Sequence, residues 1–310
     1  MGTRPTSGRN DPFAHGPKEF VAAPLRGIPG TNGPHPADND FSMKIGYQGE
    51  PGAYSDETAQ LLFPGSETVG HQTFAEVFAA MISTSVAAAV LPVENSLAGV
   101  VQEVSDLLWA HPQLTAVAEH VAPIRHHLLA RDRSAVLRAL SHPQALAQCA
   151  GWLRAHGISP VTFADTAGAA LEVAIHGAAG DGAIASRAAA DRYGLVVVAA
   201  DIADDPSNRT RFLVVEPRGV GRQPHPGPAK LSFGFLTAHR PGGLAAVLQI
   251  LASHNLNLTR LDSRPIPAEP FHYRFYADVE VDGVDQATDI LDELRSATFE
   301  LRPFGVYPTA

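Results

Sequence analysis

The stretch NRTRFLVV, residues 208–215, opens with polar side chains and continues as an uninterrupted apolar run from Phe212. An apolar run of this length behind a polar head is typical of a buried β-strand. At the head, Thr210 offers a hydroxyl and Arg211 a guanidinium, which suit a small anion. These residues alone fit an ordinary strand equally well, because threonine is β-branched and favours strands. The choice depends on whether other strands end in the same way.

Short apolar runs upstream of this stretch alternate with helical patterns. The predicted strands are residues 87–91, 127–130, 183–185 and 196–198. The predicted helices are residues 54–63, 74–83, 144–156 and 166–176. The alternation predicts a doubly wound α/β domain with a mostly parallel sheet and helices on its faces. In such sheets ligands bind beyond the carboxyl ends of the strands.

A second unit is predicted at the carboxyl end, behind a linker rich in glycine and proline at residues 218–229. Its pattern is strand 231–237, helix 243–254, strand 256–264, strand 272–281, helix 286–297 and a strand near 299–302. This βαββαβ order over residues 230–310 predicts a ferredoxin-like sandwich. Residues 1–42 contain seven prolines and six glycines but few aliphatic residues, and we expect a disordered extension there.

Composition excludes several classes of protein. The net charge of −9 argues against nucleic acid as a partner. The single cysteine, Cys149, permits no disulfide framework, and none of the 14 histidines stands at metal-ligand spacing, so we expect no metal. No apolar stretch is long enough to span a membrane, and no secretory signal is present. We therefore expect a cytoplasmic protein.

Polar residues follow most of the predicted strands of the first domain. They are the loop Gly49–Ser55, then Asn95, then Ser141 and Gln144 with Gln148 one helical turn further, then Thr166, and then Ser186. Each alone is explained by a turn or a helix cap. Five such strand ends at one sheet edge favour a cleft. The loop lacks the G-x-G-x-x-G spacing of a dinucleotide site, so no cofactor is expected.

These motifs together resemble the prephenate dehydratase family. The matching segments are GEPGAYS at 49–55, LPVENS at 91–96, SHPQ at 141–144, DTAGA at 165–169 and TRF at 210–212. The second unit resembles the ACT regulatory domain through PGGLA at 241–245 and DSRP at 262–265, where the family usually has GAL and ESRP. A further departure is STSV at 83–86, which replaces a turn that usually holds a glycine and an acid. Residues 1–42 are too short and proline-rich for a chorismate mutase segment, so we expect a monofunctional enzyme.

The resemblance implies a catalytic domain at residues 43–217 with two lobes, like type 2 periplasmic binding proteins. Lobe one would comprise residues 43–120 with 200–217, and lobe two residues 121–199. Thr210 would donate a hydrogen bond to the hydroxyl that leaves prephenate. Arg211 would pair with a substrate carboxylate or else brace the loop, and Phe212 would pack beneath the site. The remaining substrate contacts would come from Asn95, Ser141, Gln144, Gln148, Thr166 and Ser186.

The resemblance also implies feedback regulation by phenylalanine. The amino acid would bind between the ACT units of two subunits, at Gly243, Leu244 and Asn257, in a homodimer or homotetramer. Three alternatives stay open on the sequence. The first alternative is an enzyme that acts on arogenate, the amino form of the substrate. The second is a protein that binds an amino acid on the same scaffold without catalysis. The third alternative, a secreted solute-binding protein, lacks a signal segment.

Overall fold

The computed structural model describes residues 43–219, 227–266 and 269–310. The predicted extension, residues 1–42, and most of the predicted linker lie outside them. The described strands are β1 (Lys44–Gln48), β2 (Glu67–His71), β3 (Ala88–Asn95), β4 (Gly99–Val100), β5 (Leu114–Pro123), β6 (His127–Ala130), β7 (Arg138–Ser141), β8 (Ser159–Thr162), β9 (Asp181–Ala185), β10 (Val196–Ala199), β11 (Arg209–Pro217), β12 (Ala229–Leu236), β13 (Leu258–Ile266), β14 (Glu269–Val281) and β15 (Glu300–Pro308). The described helices are α1 (Tyr54–Leu62), α2 (Phe74–Ile82), α3 (Gln102–Ala110), α4 (Pro143–Gln148), α5 (Ala150–Ala155), α6 (Thr166–His176), α7 (Arg187–Tyr193), α8 (Gly243–Ser253) and α9 (Val284–Ala297).

The first lobe is built on a six-stranded sheet with the order β2-β1-β3-β11-β5, and β4 pairs with β3. β1 runs parallel to β2 and β3. β11 returns to this sheet after the second lobe and runs antiparallel to both β3 and β5. The chain therefore passes between the lobes twice, after β5 and before β11.

The second lobe has a five-stranded sheet with the order β10-β6-β9-β7-β8. β7 is parallel to β8 and β9, whereas β6 is antiparallel to β9 and β10. The prediction of a mostly parallel sheet is therefore wrong, and both sheets are mixed. The cause is the double crossing, because β6 and β11 enter their sheets from the other lobe and run against their neighbours.

The helix predicted over residues 144–156 is two helices, α4 and α5, that break at Cys149. Asp204 explains the break, since its carboxylate accepts hydrogen bonds from the backbone N–H groups of Gly151 (2.8 Å) and Trp152 (3.0 Å) and so caps α5. The Cys149 side chain is fully buried at this break. Burial raises the pKa of its thiol to about 12.

The C-terminal unit has the predicted βαββαβ order. Its four antiparallel strands lie in the order β13-β14-β12-β15, with α8 and α9 packed against one face. The final strand is longer than predicted and runs from Glu300 to Pro308. The unit is a ferredoxin-like sandwich.

The other face of this sheet packs directly on the first lobe. Tyr276, Phe304 and Tyr307 share a buried apolar cluster with Trp109 and Leu114. A side chain on Gly234 would lie 2.8 Å from the Trp109 ring, so the close approach of the two units requires glycine there. The first lobe and the C-terminal unit therefore share one core.

No helix in the described ranges is long and apolar enough to cross a membrane. The same ranges contain no group of three or more histidine, cysteine, aspartate or glutamate side chains arranged to hold a metal ion.

Candidate active site

A cleft of about 300 Å³ lies between the two lobes, at the carboxyl ends of β1, β3, β7 and β8. Both lobes contribute side chains to it. Six of the predicted site residues line this cleft: Asn95, Gln144, Gln148, Thr166, Thr210 and Phe212. The structure thus brings together residues that are separated by more than one hundred positions in the sequence.

Thr210 lies at the start of β11, directly opposite Asn95 of β3 in the sheet register. The Asn95 amide nitrogen donates to the Thr210 hydroxyl oxygen at 2.9 Å. The Asn95 amide oxygen accepts from the backbone N–H groups of Leu97 and Ala98, which fixes the orientation of the amide. Because the Thr210 oxygen is the acceptor, its proton remains available, and no acceptor for it exists among the described residues. Thr210 is therefore arranged to donate into the cleft.

A chain of hydrogen bonds continues from Asn95 across the cleft. Asn95 also donates to the Asn208 amide oxygen (2.8 Å), and the Asn208 amide nitrogen donates to the Gln148 oxygen (3.0 Å). His126 Nε2 lies 2.8 Å from the same Gln148 oxygen, and His126 Nδ1 lies 2.8 Å from the Tyr54 hydroxyl. Since an amide oxygen only accepts, His126 carries a proton on Nε2. The Tyr54 hydroxyl, which also lies 2.9 Å from the Arg125 carbonyl oxygen, is the donor available to Nδ1 of a neutral ring. The chain connects both lobes through both crossings.

The same network determines which hydrogen-bonding groups point into the cleft. Burial lowers the pKa of His126, which keeps its ring neutral. The Gln148 oxygen is occupied by two donors, so its amide nitrogen is left to donate toward the cleft. Asp165 is the one carboxylate among the described residues that line the cleft, and no lysine or arginine is among them. Apart from Asp165, the described lining therefore offers neutral polar groups.

Comparison with known proteins decides the family. The family model for prephenate dehydratase matches residues 45–219, and the model for the ACT domain matches residues 233–298. The chain belongs to the prephenate dehydratase family. The cleft therefore lies in the prephenate dehydratase domain, which is a lyase domain, and an ACT domain follows this domain in the sequence.

Three relatives of the family illustrate the similarity. Arogenate dehydratase 2 of Petunia hybrida is 39% identical over 289 residues, which span 86% of this chain and 72% of that protein. The bifunctional N-acyl-homoserine lactone acylase/prephenate dehydratase of Komagataeibacter europaeus is 36% identical, over 86% of this chain and 96% of that protein. The crystal structure of prephenate dehydratase from Arthrobacter aurescens in complex with L-Phe superposes with a TM-score of 0.78 at 28% identity, over 86% of this chain and 90% of that one.

Two serines expected to contact substrate lie outside the cleft of this prephenate dehydratase family member. Ser141 is fully buried, and its hydroxyl donates to the Ile184 carbonyl at 2.6 Å. Ser186 caps α7 and donates to the Gly52 carbonyl of the other lobe at 2.7 Å. Both predictions are corrected to structural roles, because each hydroxyl is already bound to the backbone.

Arg211 also lies outside the cleft. Its guanidinium contacts three carboxylates on the far face of the sheet, at 2.6 Å from Asp278, 3.2 Å from Glu119 and 3.4 Å from Glu94. The prediction that Arg211 pairs with a substrate carboxylate is therefore corrected. The contacts agree with the alternative prediction, in which Arg211 braces the protein itself. Burial opposes its charge, yet the Asp278 and Glu119 carboxylates and the Tyr307 ring outweigh burial, so the pKa of Arg211 lies above its ordinary value.

Three residues of the site were not predicted from the sequence as substrate contacts or as supports for them. Tyr54 and His126 line the cleft, and Asn208 joins its two halves. Tyr54 stands inside the GEPGAYS segment, which signalled a loop and a helix start rather than a side chain for the site. His126 carried no signal beyond a histidine next to a strand.

The predicted effector residues fall at opposite ends of α8. Leu244 lines a cavity of about 380 Å³ beside His239 and Phe275. Asn257 lines a different cavity and donates to Glu280 at 2.8 Å. Since α8 has 11 residues, roughly 16 Å separate its ends. One phenylalanine cannot contact both residues of a single chain.

Proposed function

We propose that this protein converts prephenate to phenylpyruvate, carbon dioxide and water, with Thr210 as the hydrogen-bond donor to the leaving hydroxyl. One observation carries the proposal. The Thr210 hydroxyl accepts from Asn95, faces the cleft, and keeps its proton for a ligand. That is the arrangement a departing hydroxide requires.

The reaction needs little covalent assistance from the protein. The bond to the ring carboxylate breaks, its electron pair enters the ring, and the ring hydroxyl departs with its own pair. A proton delivered through Thr210 turns that hydroxide into water, and solvent returns the proton to Thr210. Threonine does not titrate near neutral pH, so it acts as a relay rather than as a free acid.

The absence of lysine and arginine from the described lining of the cleft supports loss of carbon dioxide. A lysine or arginine beside the ring carboxylate would stabilise the charge that must disappear, and the described lining contains neither. At the start of α6 the Asp165 carboxylate already accepts from the Gly168 N–H, so the N–H groups ahead of it, next to Thr166, offer a weaker partial positive charge for the carboxylate that stays. The cleft can thus hold a dianion without clamping the group that leaves.

The direct test is ultraviolet detection of phenylpyruvate formed from prephenate by the purified protein. Steady formation of phenylpyruvate supports the proposal. Prephenate that binds without being converted, as measured by equilibrium dialysis, would instead support the non-catalytic amino-acid-binding alternative.

Arogenate is the second candidate substrate, and two observations favour it. Asp165 places a carboxylate in the cleft, where an ammonium group of arogenate would find a charge partner. The relative in Petunia hybrida is named an arogenate dehydratase. Comparing kcat/KM for both substrates separates the candidates, because arogenate yields phenylalanine and prephenate yields phenylpyruvate.

The acylase named for the Komagataeibacter europaeus relative would require an activated nucleophile. In the described part of this cleft, no serine or threonine hydroxyl is hydrogen-bonded to a histidine, and the hydroxyl that contacts His126 belongs to Tyr54. This geometry favours dehydration over acyl transfer here.

Phenylalanine is proposed as the allosteric effector, on the strength of the ACT match and of the Arthrobacter aurescens complex. The separation of Leu244 from Asn257 fits a site shared by two chains, with one end of α8 from each. A homodimer or homotetramer is therefore proposed, while the cytoplasmic location stays a prediction. Equilibrium dialysis with phenylalanine, combined with sedimentation of the same sample, tests both parts, and a monomer that binds phenylalanine would contradict the shared site.

A further inference from the structure

A cluster of charges, buried except for Glu94, joins the ACT domain to the strand that carries Thr210. We name it the interface cluster, and its members are Glu94, Glu119, Arg211, Lys230, Arg260 and Asp278. The side chains of Glu119 and Asp278 are 3% and 2% exposed, and that of Arg211 is 10% exposed. Buried charges of this kind are costly unless fully paired, which makes the geometry of each partner exacting.

Asp278 is the ACT-domain member that reaches Arg211 most closely. One of its oxygens lies 2.6 Å from Arg211 Nη2, and the other accepts from the Ser232 hydroxyl at 2.6 Å. Ser232 in turn contacts the Tyr307 hydroxyl, and Arg260 lies 3.6 Å from the oxygen that Arg211 uses. The carboxylate is thus held by three strands of the ACT sheet and points at β11.

The pairing of β11 with β3 is irregular at this position, and the extra residue, Val93, lies in β3. The pairing is in register at Thr210 and Arg211 and then shifts before Phe212. The bulge disrupts the ladder between β11 and β3, so that here β11 is held in continuous register only by β5, from Arg209 to Val214. Thr210 and Phe212 face the cleft, while Arg211 between them faces the ACT domain, as alternation along a strand demands.

We infer that Asp278 of the ACT domain is a positioning residue for catalysis, which holds Thr210 at its place in the cleft through the side chain of Arg211. The inference rests on the role proposed above for Thr210. A displacement of about 1 Å in a reacting group can cost on the order of 10²-fold in rate, so the position of the strand matters. Asp278 lies on the opposite face of the sheet from the cleft and acts only through its neighbour.

The test compares Asp278→Asn with Asp106→Asn in the full-length protein. Asp106 accepts from Arg264 at 2.9 Å and from the Tyr276 hydroxyl at 2.7 Å, so it also joins the ACT domain to the first lobe. It makes no contact with β11. Both substitutions remove one carboxylate charge at the same domain boundary and preserve side-chain size.

We expect Asp278→Asn to lower kcat by about 10-fold or more with KM within about twofold, because substrate-binding groups are untouched. Asp106→Asn should leave both constants within about twofold of wild type. A purely structural role for Asp278 would lower the melting temperature and leave kcat per folded molecule unchanged, which would overturn the inference.

If Asp278→Asn does not fold, Arg211→Lys decides by the same criteria, since lysine keeps the charge but not the planar fork of the guanidinium. No turnover by the wild-type protein would overturn the proposed function and this inference together, whereas an active wild type with equal kcat in both variants would overturn this inference alone.

Discussion

The cleft and the ACT interface lie on opposite faces of one sheet, and they use polar side chains in opposite ways. The cleft is arranged around neutral amides, a neutral imidazole and hydroxyls, linked from Thr210 to Tyr54 by hydrogen bonds. The interface is arranged around buried ion pairs centred on Arg211. Adjacent residues of β11 serve the two regions. Neutral donors leave room for a ligand's charge, whereas paired charges hold two domains together.

The largest effect is expected from removing the hydroxyl of Thr210. Thr210→Val keeps the β-branched shape but loses the donor, and we expect kcat to fall by about 10²–10⁴-fold, the usual range for a lost proton donor. Thr210→Ser is the control, since it keeps the hydroxyl, and it should retain most of the activity. Near-normal turnover by folded Thr210→Val enzyme, measured by phenylpyruvate formation, would remove Thr210 from the mechanism.

Breaking the interface should reduce stability rather than ligand binding. Arg211→Met leaves the buried carboxylates of Glu119 and Asp278 without their shared cation, and we expect a loss of about 3–5 kcal/mol in the free energy of unfolding. Arg125→Met is the matched control, because its partner Asp201 is exposed and surface pairs contribute only about 0–1 kcal/mol. Urea denaturation of both variants provides the measurement. Equal losses would show that burial of the pair is irrelevant.

The neutral network of the cleft predicts sensitivity to mild acid. Burial lowers the pKa of His126, and likewise of His120 and His127, so the unfolded chain binds protons more readily than the folded one. Stability is therefore fully present above the ordinary histidine pKa of 6.5 and is lost as pH falls below it toward the lowered pKa. Urea midpoints between pH 7.5 and pH 5.5, values chosen about one unit either side, should decline for wild type. They should decline less for His126→Gln, and identical slopes would contradict the assignment.

The smallest effect concerns Asp165, the one carboxylate in the described lining of the cleft. Asp165 accepts from the Gly168 N–H at the start of α6, and asparagine caps helices about as well as aspartate. Asp165→Asn should therefore preserve the fold while it lowers the preference for arogenate over prephenate by up to about fivefold, the value of an exposed charge pair. The ratio of kcat/KM for the two substrates is the quantity to measure. An unchanged ratio would mean that Asp165 serves only as a cap.

The sequence predicted the elements of the fold well where periodicity was strong. The predicted starts of α1, α2, α6 and α8 coincide with the observed ones. Strand direction could not be predicted, because it depends on which lobe a strand returns to. The break at Cys149 depends on Asp204, a residue more than fifty positions away, and no local pattern encodes it.

The site was partly predictable from residue types at strand ends. Asn95, Gln144, Gln148 and Thr166 reach the cleft because they end or follow strands whose carboxyl ends meet there. Thr210 reaches it from the start of β11, because β11 runs antiparallel to β3. Ser141 and Ser186 also follow or end strands, but their short side chains donate hydrogen bonds to backbone carbonyls and do not reach the cleft. The prediction that Arg211 contacts substrate could have been avoided. Strand alternation alone places Arg211 opposite Thr210 and Phe212, and that rule was available from the sequence.

The burial of Cys149 makes the molecule convenient for labelling experiments. Thiol reagents attack the thiolate, and a buried thiol with a pKa raised to about 12 carries almost none at neutral pH. Cysteine is absent elsewhere in the chain. A cysteine introduced on the surface of each lobe can thus carry a fluorescent dye while the native residue stays unmodified. Energy transfer between two such dyes would report any change in the distance between the lobes during turnover in the otherwise natural sequence.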